Sequence, residues 1–168
     1  KKINFSKKIN SKKISKILIK ENPDLILNFS SVLGTNNDDY RYVYNVNFLP
    51  NWEIIKYYLK TLTKKKVKII FIGSSSYKKG KGNYMLYTSS KAALHNLYQA
   101  AKEKFKNSNI KIQIFHPPRF NSKLLKSLKN KGNVKNINII AKDLLKKIGW
   151  NLVLLRALII DQNYLEKT

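Results

Sequence analysis

Val67-Lys68-Ile69-Ile70-Phe71-Ile72-Gly73-Ser74-Ser75-Ser76 is the stretch on which the fold turns, together with Tyr87-Thr88-Ser89-Ser90-Lys91 eleven residues further on. The first half is a dense apolar run that stops at a glycine and three serines. Such an unalternated run reads as a strand buried on both faces. A loop rich in Gly and Lys follows, and then an amphipathic helix expected from about Tyr84 to Lys106. On that helix positions i and i+4 share a face, so Tyr87 and Lys91 present a phenol and an ammonium side by side. A nearby cation favours the phenolate, and the expectation is a Tyr87 pKa below the usual ~10. The pair is a proton-transfer device in outline. Ser74, at the end of the preceding strand, is placed to hydrogen-bond the same reacting oxygen.

Outward from this core the pattern repeats. Residues 2–5 read as a short strand, and Ile9, Ile14, Ile17 and Leu18 recur at helical spacing between Ser6 and Glu21. Asn22-Pro23 ends that helix. Asp24 to Phe29 is a compact apolar strand. Tyr40 to Leu62 reads as one helix bent at Pro50, because proline removes the hydrogen bond to Val46. Ile110 to Phe115 is a third strand, stopped by Pro117-Pro118. A Lys-rich connection with a short helix spans about 120–135, a helix covers 139–148, and Asn151 to Ile160 holds a last strand. Helices and strands alternate, which implies a parallel sheet covered on both faces. Ligands of such sheets bind beyond the carboxyl ends of the strands. Here those ends are Asn28-Phe29-Ser30-Ser31, Gly73-Ser74-Ser75 and His116-Pro117-Pro118.

Composition removes several classes. The 168 residues suffice for one domain with a core, and 43% are hydrophobic. With no Cys there is no disulfide, thiol nucleophile or thiolate metal site. Two separated His and few carboxylates argue against a metal centre. No apolar run is long enough to span a bilayer, and the Lys-rich start lacks a signal-peptide core, so the expected location is cytoplasmic. The formal net charge is +25. Nucleic acid is one reading of that charge. Against it, the cations are nearly all Lys, scattered among abundant Asn and Ile, as a shared base-composition bias would produce; Arg stands only at 41, 119 and 156.

Taken together these residues resemble the short-chain dehydrogenase/reductase family, over essentially the whole chain but only the last two thirds of a typical member. Asp24 to Ser31 is similar to the family's fourth strand and its N-N-A-G turn, departing at three of four turn positions. Asn45-Val46-Asn47-Phe48 resembles the segment that carries the active-site Asn, here Asn47. Ile69 to Ser74 resembles the fifth strand with the catalytic Ser at 74, Ser75 being the fallback. Tyr87 to Lys91, with Ala92-Ala93-Leu94, matches the Y-x-x-x-K helix. Ile112 to Pro117 resembles the sixth strand and its proline; the usual P-G is Pro117-Pro118, and Ser122 falls where a Ser or Thr meets the nicotinamide amide.

The resemblance implies a Rossmann-like, three-layer αβα domain over residues 1–168 and an NAD(P)-dependent oxidoreductase interconverting a carbonyl and an alcohol. It implies a tetrad of Tyr87 as acid/base, Ser74 as the oxyanion partner, Lys91 as pKa modulator and ribose ligand, and Asn47 as anchor of a water relay. The bend at Pro50 would expose the Val46 or Asn47 carbonyl for that relay. The cofactor, NAD or NADP, would meet Asn28, Ser30, Tyr87, Lys91, Pro117 and Ser122. Ser75, Tyr84, His116 and Arg119 stand at the mouth of the expected cleft, where His116 and Arg119 suit an anionic substrate. A homodimer or homotetramer through helices 40–62 and 84–106 is expected.

One part of the pattern is missing. The six glycines, at 34, 73, 80, 82, 132 and 149, form no glycine-rich turn between a strand and a helix, so no pyrophosphate cradle is legible. The first βαβ unit of the family is absent. With Lys1 in place of a Met, the expectation is a fragment of a longer enzyme, or a truncated product, that alone binds cofactor weakly. Its first sheet edge would stand uncovered and prone to association. A non-catalytic interaction module on the same fold and a basic nucleic-acid binder are the alternatives.

Overall fold

The computed structural model describes residues 11–35, 37–61, 63–119, 134–149 and 157–160. Helix α1 (Ser11–Glu21) turns Ile14, Ile17 and Leu18 into the core. It ends where Asn22 adopts φ 39° and donates its N–H to the Leu18 carbonyl at 3.0 Å. Asn tolerates this left-handed conformation better than most residues. Strand β1 (Leu25–Asn28) follows, with all four residues buried.

The expected single helix over 40–62 is two. Helix α2 (Tyr40–Asn47) is capped by Asp39, whose carboxylate accepts from the Arg41 N–H at 2.9 Å. Helix α3 (Leu49–Lys60) starts at once beyond Phe48, with Pro50 in its first turn. A proline is tolerated there because the first-turn N–H has no intrahelical partner. The chain therefore breaks at Phe48 instead of bending through Pro50.

Strand β2 (Val67–Ile72), helix α4 (Met85–Lys104), strand β3 (Ile110–Phe115) and helix α5 (Ile137–Ile148) lie within a few residues of their expected bounds. Strand β4 (Ala157–Ile160) closes the order. The short strand expected at 2–5, the short helix expected at about 120–135 and Ser122 lie outside the described residues, apart from 134 and 135.

The strands form one parallel sheet in the order β3-β2-β1-β4. Leu25 stands beside Lys68 on one side and Ala157 on the other. The edge beside β1, expected to stand open, is thus paired with β4, and among the described residues the two edges of the sheet belong to β3 and β4. Two cores flank the sheet. On one face Ile26, Ile69, Phe71 and Ile112 pack with side chains of α1, α3 and α4. On the other Leu25, Leu27 and Ile70 meet Ile148, with Leu144 and Leu145 of α5 against them. Lys68 ties that second layer down: its ammonium donates to the carbonyls of Lys147 at 3.0 Å and Ile148 at 2.8 Å, at the α5 terminus. Among the described residues no helix is long and apolar enough to cross a membrane. All carboxyl ends of β1, β2 and β3 fall on one edge, and the polar residues singled out above gather there.

Candidate active site

Tyr87 sits in the first turns of α4, half-buried, and its hydroxyl is hydrogen-bonded to the Ser74 side chain. Ser74 itself is extended (φ −157°, ψ 148°) and caps the 3₁₀ turn Ser75–Tyr77, accepting from the Ser76 N–H at 3.1 Å. The strand end and the helix therefore bring the two hydroxyls together, as the spacing suggested. Ser75 is exposed on that turn, and Tyr84, half-buried, precedes α4.

The electrostatics differ from expectation. Burial raises the Tyr87 pKa, and the Ser74 hydrogen bond only partly opposes it. The lowering expected from Lys91 is not what this arrangement produces. Lys91 is 1% exposed and donates to the Ile72 carbonyl at 3.2 Å, with its ammonium 5.8 Å from the Tyr87 ring centre. Burial drives its own pKa down to about 8. Because the unfolded chain holds this proton up to 10.5, the Lys91 contribution to stability rises as the pH climbs from 8 to 10.5. We expect the stability difference between wild type and Lys91→Met to change by about 3 kcal/mol across that window, read from urea unfolding at each end. A difference that stays constant would mean that the ammonium is solvated.

Asn47 is fully buried and committed to the protein. Its Oδ1 accepts from the Val32 N–H at 2.8 Å, and its Nδ2 donates to the Val32 carbonyl at 3.0 Å and to Ser90 Oγ at 2.9 Å. Ser90 Oγ in turn donates to the Tyr87 carbonyl at 2.8 Å. The carbonyls expected to be free for a relay are engaged: Val46 O lies 3.1 Å from Ser30 Oγ, and Asn47 O accepts from Asn51 Nδ2 at 3.2 Å. Asn51 Oδ1 accepts from Asn28 Nδ2 at 2.9 Å, and Asn28 Oδ1 accepts from the Ser30 N–H and hydroxyl at 3.0 and 2.6 Å. Asn28, Ser30, Asn47, Asn51 and Ser90 thus form one buried network running from the end of β1 to the backbone of Tyr87. Asn51 and Ser90 were not singled out from sequence. Asn51 was findable as the polar residue after Pro50, at the point where the helix carbonyls lose their donors.

His116, one residue beyond β3, is half-buried, and both of its ring nitrogens face protein atoms. Pro117 follows it, partly buried, and Arg119 is exposed.

The chemistry of the site can be set against a nicotinamide cofactor. An ammonium offers three donors. Buried Lys91 directs one to Ile72, which leaves acceptors wanted for the others, and a ribose diol is such an acceptor. Ser31 Oγ, at the β1 end, is buried without a hydrogen-bond partner. These observations fit the nicotinamide-ribose half. For the pyrophosphate the described residues offer no glycine-rich strand-to-helix turn. They also hold no group of three or more metal-ligating side chains.

The short chain dehydrogenase profile matches residues 11–133. The chain belongs to the short-chain dehydrogenase family. A curated relative of this family member is the bifunctional ribulose 5-phosphate reductase/CDP-ribitol pyrophosphorylase of Haemophilus influenzae, 35% identical over 103 residues. The match takes in 58% of this chain and 21% of the relative, so the chain spans about a fifth of that protein's length. Solved short-chain dehydrogenases share the fold. That from Salmonella enterica serovar Typhi superposes with a TM-score of 0.72 at 18% identity, over 91% of this chain and 70% of its own. One from Burkholderia cenocepacia, in complex with NADP, gives 0.73 at 12% identity, over 94% and 67%. The 4-hydroxyisoleucine dehydrogenase complexed with NADH gives 0.68 at 19% identity, over 95% and 78%.

Proposed function

We propose that this chain carries the proton-handling half of an NAD(P)-dependent oxidoreductase that interconverts a carbonyl and an alcohol. The observation that carries this reading is the Tyr87 hydroxyl bonded to Ser74, with the buried Lys91 ammonium behind it. In the reducing direction Tyr87 gives its proton to the substrate oxygen, and Ser74 Oγ donates a hydrogen bond to the same atom. The phenol is protonated at neutral pH and so has a proton to give, although burial, by raising its pKa, makes it the weaker acid until the site is filled. Lys91 would hold the nicotinamide ribose through its remaining N–H groups, next to Tyr87. When bound, the cofactor exchanges hydride with the carbonyl carbon. Asn47 contributes by fixing α4 through Ser90. Ser31, Asn28, Ser30 and Pro117 border the cofactor side. Which of NAD or NADP binds is left to the assay, which uses both.

We infer a small, anionic, phosphorylated carbonyl as the substrate class. Lys78, Lys79 and Lys81 are exposed on the loop between Ser74 and Tyr87, and Arg119 is exposed just after β3. A ribulose 5-phosphate reductase among the relatives supports the same class. The test is NADH or NADPH consumption with ribulose 5-phosphate and with ribulose, at cofactor concentrations that saturate a weak site. We expect the phosphorylated compound to show at least tenfold higher kcat/KM, about the worth of one good charge-assisted contact. Replacing Lys78, Lys79 and Lys81 together by Ala should erase most of that preference. No consumption with either compound would overturn the reading.

A further inference from the structure

Two histidines meet behind Ser74, one from α4 and one from the end of β3. His95 Nδ1 lies 3.1 Å from His116 Nε2, and His116 Nδ1 lies 3.0 Å from the Ser74 carbonyl oxygen. The Tyr77 ring stacks on both, with centres 3.9 Å from His95 and 4.3 Å from His116. Tyr98 leans on His95 at 5.9 Å. The fit is close, because a Cβ on Gly73 would land on the His116 ring and 3.0 Å from Ile114 Cδ1. Only a glycine before Ser74 admits the imidazole here.

The geometry fixes the protons. A carbonyl oxygen only accepts, so His116 Nδ1 carries the hydrogen. Neutral His116 then accepts at Nε2, and His95 must donate from its Nδ1. A proton added on His116 Nε2 sets N–H against N–H and breaks the pair.

We propose that His116, bonded to His95 and clamped by Tyr77, is a positioning residue that holds the Ser74 backbone so that its hydroxyl faces Tyr87, and that this latch loosens when a proton on His116 Nε2 breaks its bond to His95. The inference rests on the roles given to Ser74 and Tyr87 above. The groups facing His116 are His95 from α4, Tyr77 and Lys78 from the 3₁₀ turn and its end, Ser74 from the end of β2 and Lys147 from α5, with Tyr98 behind His95. Burial holds the His116 pKa below its ordinary 6.5, with His95, Lys147 and Lys78 acting in the same direction and the Ser74 carbonyl in the other. Neutral His116 is therefore the native form at neutral pH, and the latch is lost as the pH falls below that range.

The test joins nitrogen NMR of the imidazoles to kinetics. In the wild-type chain both histidines should show the Nδ1–H tautomer at neutral pH, with His116 titrating below 6.5. His116→Ala should lower kcat by ~10–100-fold with KM little changed, the scale of a slightly misplaced catalytic group. His116→Asn, which keeps an amide donor where Nδ1 stood, should restore most of it and abolish the acid limb of the pH profile. In a Ser74→Ala background His116→Ala should cost less than about twofold, since the group it positions is gone. An equal loss in both backgrounds, or an Nε2–H tautomer on His116, would overturn the proposal. If wild type reduces no carbonyl at all, the enzyme reading fails, and the tautomers and titration still decide whether the latch exists.

Discussion

Tyr87→Phe lowers kcat by ~10²–10⁴-fold, the range that a positioned general acid contributes. The substitution removes one oxygen from a half-buried side chain and leaves the ring, so the fold persists and the unfolding midpoint stays close to wild type. Ser74 loses its phenol partner but keeps the Ser76 N–H. KM for cofactor moves little, because Lys91 and its bond to Ile72 are untouched. Steady-state kinetics beside a urea denaturation curve reads both quantities. Activity within threefold of wild type would remove Tyr87 from the chemistry.

The second large effect is on stability. Asn47→Ala destabilises the protein by ~2–4 kcal/mol, because it leaves both backbone groups of Val32 and the Ser90 hydroxyl short of a partner in the interior. Ser90 keeps its bond to the Tyr87 carbonyl within α4, but the helix loses its tie to Asn47 beside the site. Chemical denaturation measures the loss. Asn47 was read from sequence as the anchor of a water relay. A variant as stable as wild type but inactive would restore that reading, and a destabilised one supports the role of a strut.

The sheet was legible because its strands are short segments rich in Ile, Leu, Val and Phe. Leu25–Leu27 and Ile69–Ile72 show no alternation, Ile110–Phe115 alternates as an edge strand does, and the helical spacing between them left only a covered parallel sheet. The Tyr87–Lys91 helix was legible for the same kind of reason, as Leu94, Ala101 and Phe105 mark its buried stripe. What escaped was set by contacts between distant residues. A proline in a helical pattern does not say whether the helix bends or restarts. The answer came from Asn51 and Ser30, which take up the carbonyls near the break. The sign of the Tyr87 shift also depended on tertiary structure. The i+4 spacing brings the ammonium close, but burial outweighs it, and the ammonium turns to Ile72. His95 looked like one more polar residue on α4 until β3 brought His116 against it.

In the proposed function the nicotinamide end of the cofactor is held by buried Lys91 beside Tyr87. Saturation-transfer NMR of NADH and NADPH with wild type and Lys91→Met tests it without any substrate. Strongest transfer is expected to the nicotinamide and its ribose, with weak transfer to the adenine and loss of the nicotinamide-ribose signal in the variant. Transfer that is strongest at the adenine, or unchanged when Lys91 is replaced, would contradict it.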